Sequence, residues 1–298
     1  MNNDILQTLW TEHRRWSAAA GQLKSRRGRW RSIALTLTVI GAVLHTIAAT
    51  LTTSSTASAL SIIGTIALAI VPIISGRILT PEATRKWLRA RSVSEGIKSE
   101  IYTFCAGGEP YTDPNTSDLL RQRVQAITKW GSGLELDLAR VGSVAASAPP
   151  PRLDADRYLA QRVRKQIEEY YRPRAHEYAR LAALFQKAQT ILTGLAAALG
   201  AVTTVSEISG PSQLGPWVAV LTTVGASLAA HTAAARYEFQ ATTFFATARQ
   251  LEDLVNQWRA TATPTNSKEW SDFVRDCESA ISAENRGWMA KLDEDVEA

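Results

Sequence analysis

The sequence predicts an all-α membrane protein: two tandem helix–hairpin–helix repeats, four transmembrane helices and long cytoplasmic helical extensions. Three observations predict it. Residues 32–76 run for 45 positions without an Asp, Glu, Lys or Arg. A second pair of uncharged stretches lies at 188–206 and 217–235. Each pair is flanked by charged segments whose apolar residues recur at three- and four-residue spacing.

The first stretch is about twice the ~20 residues that one helix needs to cross a hydrocarbon core of roughly 30 Å. The Ser/Thr run at 52–56 divides it into spans near 32–52 and 57–76. A helix in a soluble core normally keeps a charged outer face, so an uncharged run of this length points to lipid. The charge distribution gives an expected orientation. The formal net charge is +5, and Arg26, Arg27, Arg29 and Arg31 crowd the entry to the first span. Arg77, Arg85, Lys86, Arg89 and Arg91 crowd the exit from the second. The positive-inside rule then places residues 1–31 and the chain from 77 onward in the cytoplasm, with both termini there. Arg27, Arg29, Trp30, Arg31, Arg77 and Arg236 are the expected anchors on that side. These cations account for the basic balance without nucleic acid, and no nucleic-acid-binding motif accompanies them.

Taken in order, residues 4–31 read as a helix that continues into the first span, with Ile5, Leu9, Trp16, Ala20 and Leu23 as its apolar stripe. In the span itself Thr38, Gly41, His45, Ala49 and Thr52 share one face. Such a stripe serves helix packing or lines water. His45 is an ionisable residue near the bilayer centre, a candidate for function or for a hydrogen bond to a neighbouring helix. Pro72 removes a backbone donor near the end of the second span, where a kink is expected. Thr80-Pro81-Glu82 opens the next helix with a cap, a proline at the first position and an acid against the dipole. Its buried stripe is Trp87, Ala90, Ser94, Ile97, Ile101 and Phe104. One more helix is expected over 117–140, which closes a first repeat at 1–141. Residues 142–154 (GSVAASAPPPRLD) are small and proline-rich and read as a linker.

The second repeat covers 155–260. A charged segment, 155–187, carries Tyr158, Val163, Ile167, Tyr170, Tyr171, Tyr178 and Leu181, with Pro173 as an expected kink. The third and fourth spans, 188–206 and 217–235, are rich in Ala, Gly and Thr, and a buried soluble hairpin is the alternative reading there. Thr223, Ser227 and His231 form a polar stripe at i, i+4 and i+8. A helix from Arg236 to about 260 follows, and an acidic C-terminal helix is expected within 261–298.

Lys86-Trp87-Leu88-Arg89-Ala90-Arg91 with Glu95 and Lys98 follows the first hairpin. Arg157-Tyr158-Leu159, Arg162-Val163, Gln166-Ile167, Tyr170-Tyr171 and Ala175 precede the second. With these residues the chain resembles the SLATT superfamily, the SMODS- and SLOG-associating two-transmembrane effector domains, in tandem copies. The resemblance implies a bacterial inner-membrane effector of conflict systems. Such effectors form pores or perturb the membrane, and many respond to nucleotide signals.

No GxGxxG, P-loop, HExxH or GxSxG motif is present. The four histidines are scattered, and Cys105 and Cys277 make neither a disulfide framework nor a metal site. No enzyme, cofactor or metal is expected, and no cleavable signal peptide. Two functions lead, ahead of a small transporter, for which spans so poor in charge offer few groups to hold a substrate or coupling ion. In the first, hairpins from several chains assemble into a channel, with Thr38, His45, Thr52, Thr223, Ser227 and His231 as candidates for lining or helix packing. In the second, the hairpins only anchor, and the charged helices form a scaffold for a cytoplasmic partner. The expected partners are the lipid bilayer, further copies of the chain, and an unidentified cytoplasmic protein or nucleotide signal.

Overall fold

The structure is a computed structural model that describes residues 2–51, 55–113, 116–207, 214–260 and 267–297. Its elements are α1 (Asn2–Thr50), α2 (Ser55–Arg77), α3 (Pro81–Ala106), α4 (Ser117–Thr128), α5 (Glu135–Ala139), α6 (Ala155–Tyr158), α7 (Arg172–Glu207), α8 (Gly215–Ala235), α9 (Tyr237–Ala260) and α10 (Ser267–Glu297). No strand occurs among the described residues. As expected, α1 carries the charged N-terminal segment into the first apolar span as one helix. Among the described residues three helical segments are long and apolar enough to cross a membrane: Asp4–Thr50, Ser55–Arg77 and Gly215–Ala260. α7, which holds the stretch 188–206, is not among them.

The chain forms two compact units. A charged unit comprises Met1–Ser25, Pro81–Ala175 and Thr242–Ala298, and an apolar unit comprises Arg26–Thr80 and His176–Ala241. Each takes residues from both sequence repeats.

The charged unit is built on α3. Leu88, Val93, Ile97 and Ile101 are fully buried, with Trp87, Ala90 and Phe104 nearly so. α10 packs along α3, bringing Phe273, Val274, Cys277 and Ile281, and α4 adds Leu120, Val124 and Ile127. The start of α1 buries Leu6, Leu9, His13, Trp16 and Ala20, a heptad-like seam with a histidine in an apolar slot. α3 ends in a Schellman motif. Gly107 takes φ +66°, its N–H donates to Phe104 O, and Gly108 N–H donates to Thr103 O.

Two expectations are corrected here. The single helix over 117–140 breaks at Lys129–Gly131, a turn of 3₁₀ helix, and resumes at Glu135 after Gly133 at φ +86°. Gly131-Ser132-Gly133 breaks the helix, and the Trp16 indole lies where a Gly131 side chain would be. The segment leading into α7 is not plain α-helix. Residues Leu159–Arg164 and Gln166–Tyr171 wind as π-helix just before Pro173. Buried Tyr158, Leu159, Arg162, Val163, Ile167 and Tyr171 therefore recur every four to five residues, close to the wider π turn. The linker residues 142–154 are irregular but docked. Leu153 N–H donates to Cys105 O at 2.8 Å, and Arg152 donates to Phe104 O at 3.1 Å and lies over its ring.

Gly131→Val is expected to destabilise the charged unit by about 1–3 kcal/mol, because Trp16 has no room to retreat. Thermal unfolding of the purified chain checks this as a lowered midpoint with unchanged helix content.

Candidate functional site: apolar membrane faces and a charged groove

In the apolar unit Ala34, Ala42, Gly64, Ala67 and Ala182 are among the buried residues, and many large aliphatic side chains are exposed. On α2 only Gly64, Ala67 and Ile74 are buried, while Ile62, Ile63, Ile66 and Ile73 are more than half exposed. Ile33 and Ile40 on α1 and Leu184, Ile191, Leu195 and Val202 on α7 are exposed as well. Water would penalise so many bare aliphatic side chains, whereas lipid tails solvate them.

α1 and α2 meet at two glycines. A Cβ on Gly41 would lie 3.1 Å from Gly64 O, and one on Gly64 would lie 3.1 Å from Gly41 O. The backbones can approach this closely only without side chains. His45 sits on the same seam, with Nε2 3.2 Å from the Thr65 hydroxyl. α1 also pairs with α8, antiparallel. Arg31 Nη1 donates to Ala234 O at 3.3 Å at one end, and the Thr46 hydroxyl donates to Pro216 O at 3.4 Å at the other. Arg31 thereby brings a cation to the carbonyl end of α8. The turn ends of the two hairpins lie at one end of the unit.

The structure separates the other candidates of the two polar stripes. The Thr38 hydroxyl donates to Ala34 O of its own helix, and Ser227 to Thr223 O. Thr52 lies outside the described residues. Thr223 is exposed. His231 is buried, 3.3 Å from the Tyr237 hydroxyl and beside Phe185, whose ring stacks on Tyr237 at 5.4 Å. Arg236 breaks α8 from α9 in the left-handed conformation (φ 51°). Of the expected anchors, Arg27, Arg29, Trp30, Arg31, Arg77 and Arg236 all belong to the apolar unit.

Sequence reasoning missed a second feature, a polar network within the charged unit. Arg162 is buried and makes two hydrogen bonds to Glu278 of α10, at 2.8 and 2.7 Å. The Tyr158 hydroxyl donates to the same carboxylate at 3.0 Å. Burial alone would depress the Arg162 pKa, and the Glu278 carboxylate more than offsets it. The Arg162 guanidinium lies 4.4 Å from the centre of the Tyr102 ring. Arg91 donates to the Tyr170 hydroxyl at 2.9 Å. Burial would raise the Glu95 carboxyl, but Lys98, Arg162 and Arg91 hold it below the usual carboxylate range. The network thus joins residues quoted above from both halves of the chain. The signal available in the sequence was an arginine on the π-helical stripe and a glutamate within the apolar stripe of α10.

His13 is part of the same region. Its Nδ1 donates to Ser94 O at 2.9 Å, which fixes the neutral tautomer with hydrogen on Nδ1. Burial lowers its pKa to about 4, against the raising effect of the Ser94 carbonyl and Glu95.

Residues 158–288 match the family model of SMODS and SLOG-associating 2TM effector domain 1. The chain thus carries a SLATT domain over residues 158–288. Residues 14–119 match a second model, described as a protein of unknown function (DUF4231). The two matches enclose one apolar hairpin each, α1–α2 and α7–α8. No curated protein and no solved structure matches the chain. SLATT is a two-transmembrane effector domain and not a known catalytic family, so this SLATT protein is a membrane-associated effector of the conflict-system type.

Two outcomes follow from the network. Glu278→Ala leaves the Arg162 charge buried without its carboxylate and is expected to cost about 3–5 kcal/mol, whereas Arg162→Met with Glu278→Leu recovers most of it. Denaturant unfolding of both variants measures the difference. The folded His13 pKa lies below the unfolded value of 6.5, so the folded state binds fewer protons between them. Its stabilisation is present above pH 6.5 and is lost as pH falls through about 4. The loss amounts to roughly 3 kcal/mol, and His13→Gln is expected to flatten this part of the stability–pH curve.

Proposed function

We propose that this SLATT protein inserts both hairpins into the bacterial inner membrane as four spans, with its termini cytoplasmic, and assembles into an oligomer that opens or perturbs the bilayer. The observation that carries the reading is the broad bare aliphatic surface of the apolar unit, in a chain with an effector-domain match. Such a surface is stable in lipid and lets the long apolar helices span it. The shared end of the two hairpin turns supports a common orientation. The charges agree: arginines stand at 26–31 and 77–91, beside the ends of the first two apolar stretches that lie away from the turn.

Assembly is supported by α7. Thr193, Gly194, Ala197 and Ala198 are exposed, and nothing lies within 4 Å of a Cβ built at Gly194 or Gly200. A smooth, small-residue face of this kind lets a helix of another copy approach closely. Within one chain Gly41 and His45 are occupied with α2, so Thr223, the exposed member of the α8 stripe, is the first candidate to face water in an assembly. The match over 14–119 would then be a diverged first copy of the same two-span unit.

Dye efflux from proteoliposomes tests the reading. Wild-type protein is expected to release dye, and Gly194→Leu with Ala198→Leu to reduce release at least tenfold while still inserting. In an active assembly Thr223→Cys is expected to react with a water-soluble thiol reagent. Inserted, oligomeric protein that releases no dye would instead favour the anchored scaffold.

A further inference from the structure

We infer that Arg27 and Arg31 of α1, with His231 of α8, form a site for the phosphate of one anionic phospholipid. The inference rests on the reading that the apolar unit lies in a bilayer, and it adds a defined headgroup site to that unit.

The site is at the end of the unit opposite the hairpin turns. Arg27 and Arg31 stand one turn apart on α1, both half-buried. Like charges at that spacing repel, and Arg31 is a charge that acts on Arg27. Arg31 acts on His231 as well. The three side chains therefore share one electrostatic neighbourhood, and none of them can neutralise another. The adjoining sequence supplies little counter-charge. No acid occurs between Glu12 and Glu82, and in the other half of the unit, 176–241, the acids are Glu177, Glu207 and Glu238. Glu207 is the last residue of α7, at the turn end, and Glu177 and Glu238 are exposed. Cations drawn partly out of water at a membrane boundary need an anion, and the bilayer itself supplies phosphate there.

Hydrogen bonding points the same way. Arg31 is fixed by its Nη1, which donates to Ala234 O at 3.3 Å. Its Nε is buried and has no hydrogen-bond partner among the described residues. His231 is 8% exposed, with Nε2 3.3 Å from the Tyr237 hydroxyl and Nδ1 buried without a partner. The two orphan nitrogens do not bond each other. With the Tyr237 hydroxyl donating to Nε2, the imidazole carries its hydrogen on Nδ1. Arg31 Nε and His231 Nδ1 are then two N–H groups that lack an acceptor, and a buried donor left unmade is costly. A phosphate offers several acceptor oxygens and suits the guanidinium fork.

The bare surface beside the cations selects a lipid over a free ion. Ile33 and Ile40 on α1 are exposed, as are Ala233 and Ala234 on α8. Acyl chains lie on these faces while the headgroup stays at Arg31.

Lipid titration of the purified chain in detergent, read by native mass spectrometry, tests the site without insertion or efflux. The probes are short-chain phosphatidylglycerol, phosphatidylcholine of the same chain length, and inorganic phosphate. Phosphatidylglycerol is expected to bind at least tenfold more tightly than either control. Arg31→Gln and Arg27→Gln are each expected to weaken it at least fivefold, and His231→Phe at least threefold. Arg26→Gln and Arg29→Gln, at exposed positions nearby on α1, are expected to leave it unchanged. Circular dichroism verifies each fold, and Arg27→Gln decides the matter if Arg31→Gln, which loses the bond to α8, does not fold. Equal affinity for phosphatidylcholine means an acyl-chain site only, and equal binding of inorganic phosphate means a free-anion site. An equal loss in Arg29→Gln means a diffuse cationic belt. Each of these overturns the inference, as does unchanged affinity in Arg27→Gln. Flotation of the wild-type chain with vesicles measures insertion separately, so a chain that inserts without preferring phosphatidylglycerol loses the site and keeps the membrane reading.

Discussion

The charged unit depends on one buried ion pair. Arg162 and Glu278 are both removed from water, and neither is tolerable there alone, since each isolated charge would cost several kcal/mol. Their bidentate geometry, the Tyr158 hydroxyl and the Tyr102 ring supply the compensation. The pair fixes the register of α10 against the π-helical turns. The π turns in turn suit this arrangement, because their wider winding puts Tyr158, Arg162, Ile167 and Tyr171 on one side. An α-helix would carry that stripe steadily around its axis.

The apolar unit depends on a different constraint. Lipid offers no hydrophobic drive to bring helices together, so close contact and hydrogen bonds must do it. The Gly41–Gly64 approach, the His45–Thr65 contact and the Arg31 and Thr46 bonds to α8 are of that kind. Many large aliphatic residues are left outside, the reverse of the charged unit, where they form the core. One chain therefore shows two solvent regimes, and the distribution of Ile marks the difference: Ile97 and Ile101 are inside on α3, while Ile62, Ile63, Ile66, Ile70 and Ile73 are outside on α2.

Much of this was legible in the sequence. Long uncharged runs, caps such as Thr80-Pro81-Glu82 and the apolar stripe of α3 are local signals, and they fall where the helices are. Less legible were residues whose role depends on a distant partner. The seam of α1 includes Leu6 and His13 in place of Ile5, and His13 is buried because Ser94, far along the chain, offers its carbonyl. The break at Gly131-Ser132-Gly133 did have a local warning in its two glycines, which a single helix over 117–140 passed over, whereas the Trp16 ring packed against Gly131 had none. The polar face of the first span left packing and water lining both open, and only the position of α2 shows what Gly41 and His45 touch.

By itself the sequence determined that the chain is helical, that it carries apolar hairpins suited to a bilayer between charged helices, and that it resembles the SLATT domains. These follow from composition and period, which act over a few turns of helix. The tertiary structure decided which residues from the two halves share a unit. It paired α1 with α8, set Arg162 against Glu278, and brought Arg31 to the carbonyl end of α8 and to His231. Those are encounters between residues tens to hundreds of positions apart, and their energies come from burial, close packing and charge compensation that no local pattern encodes.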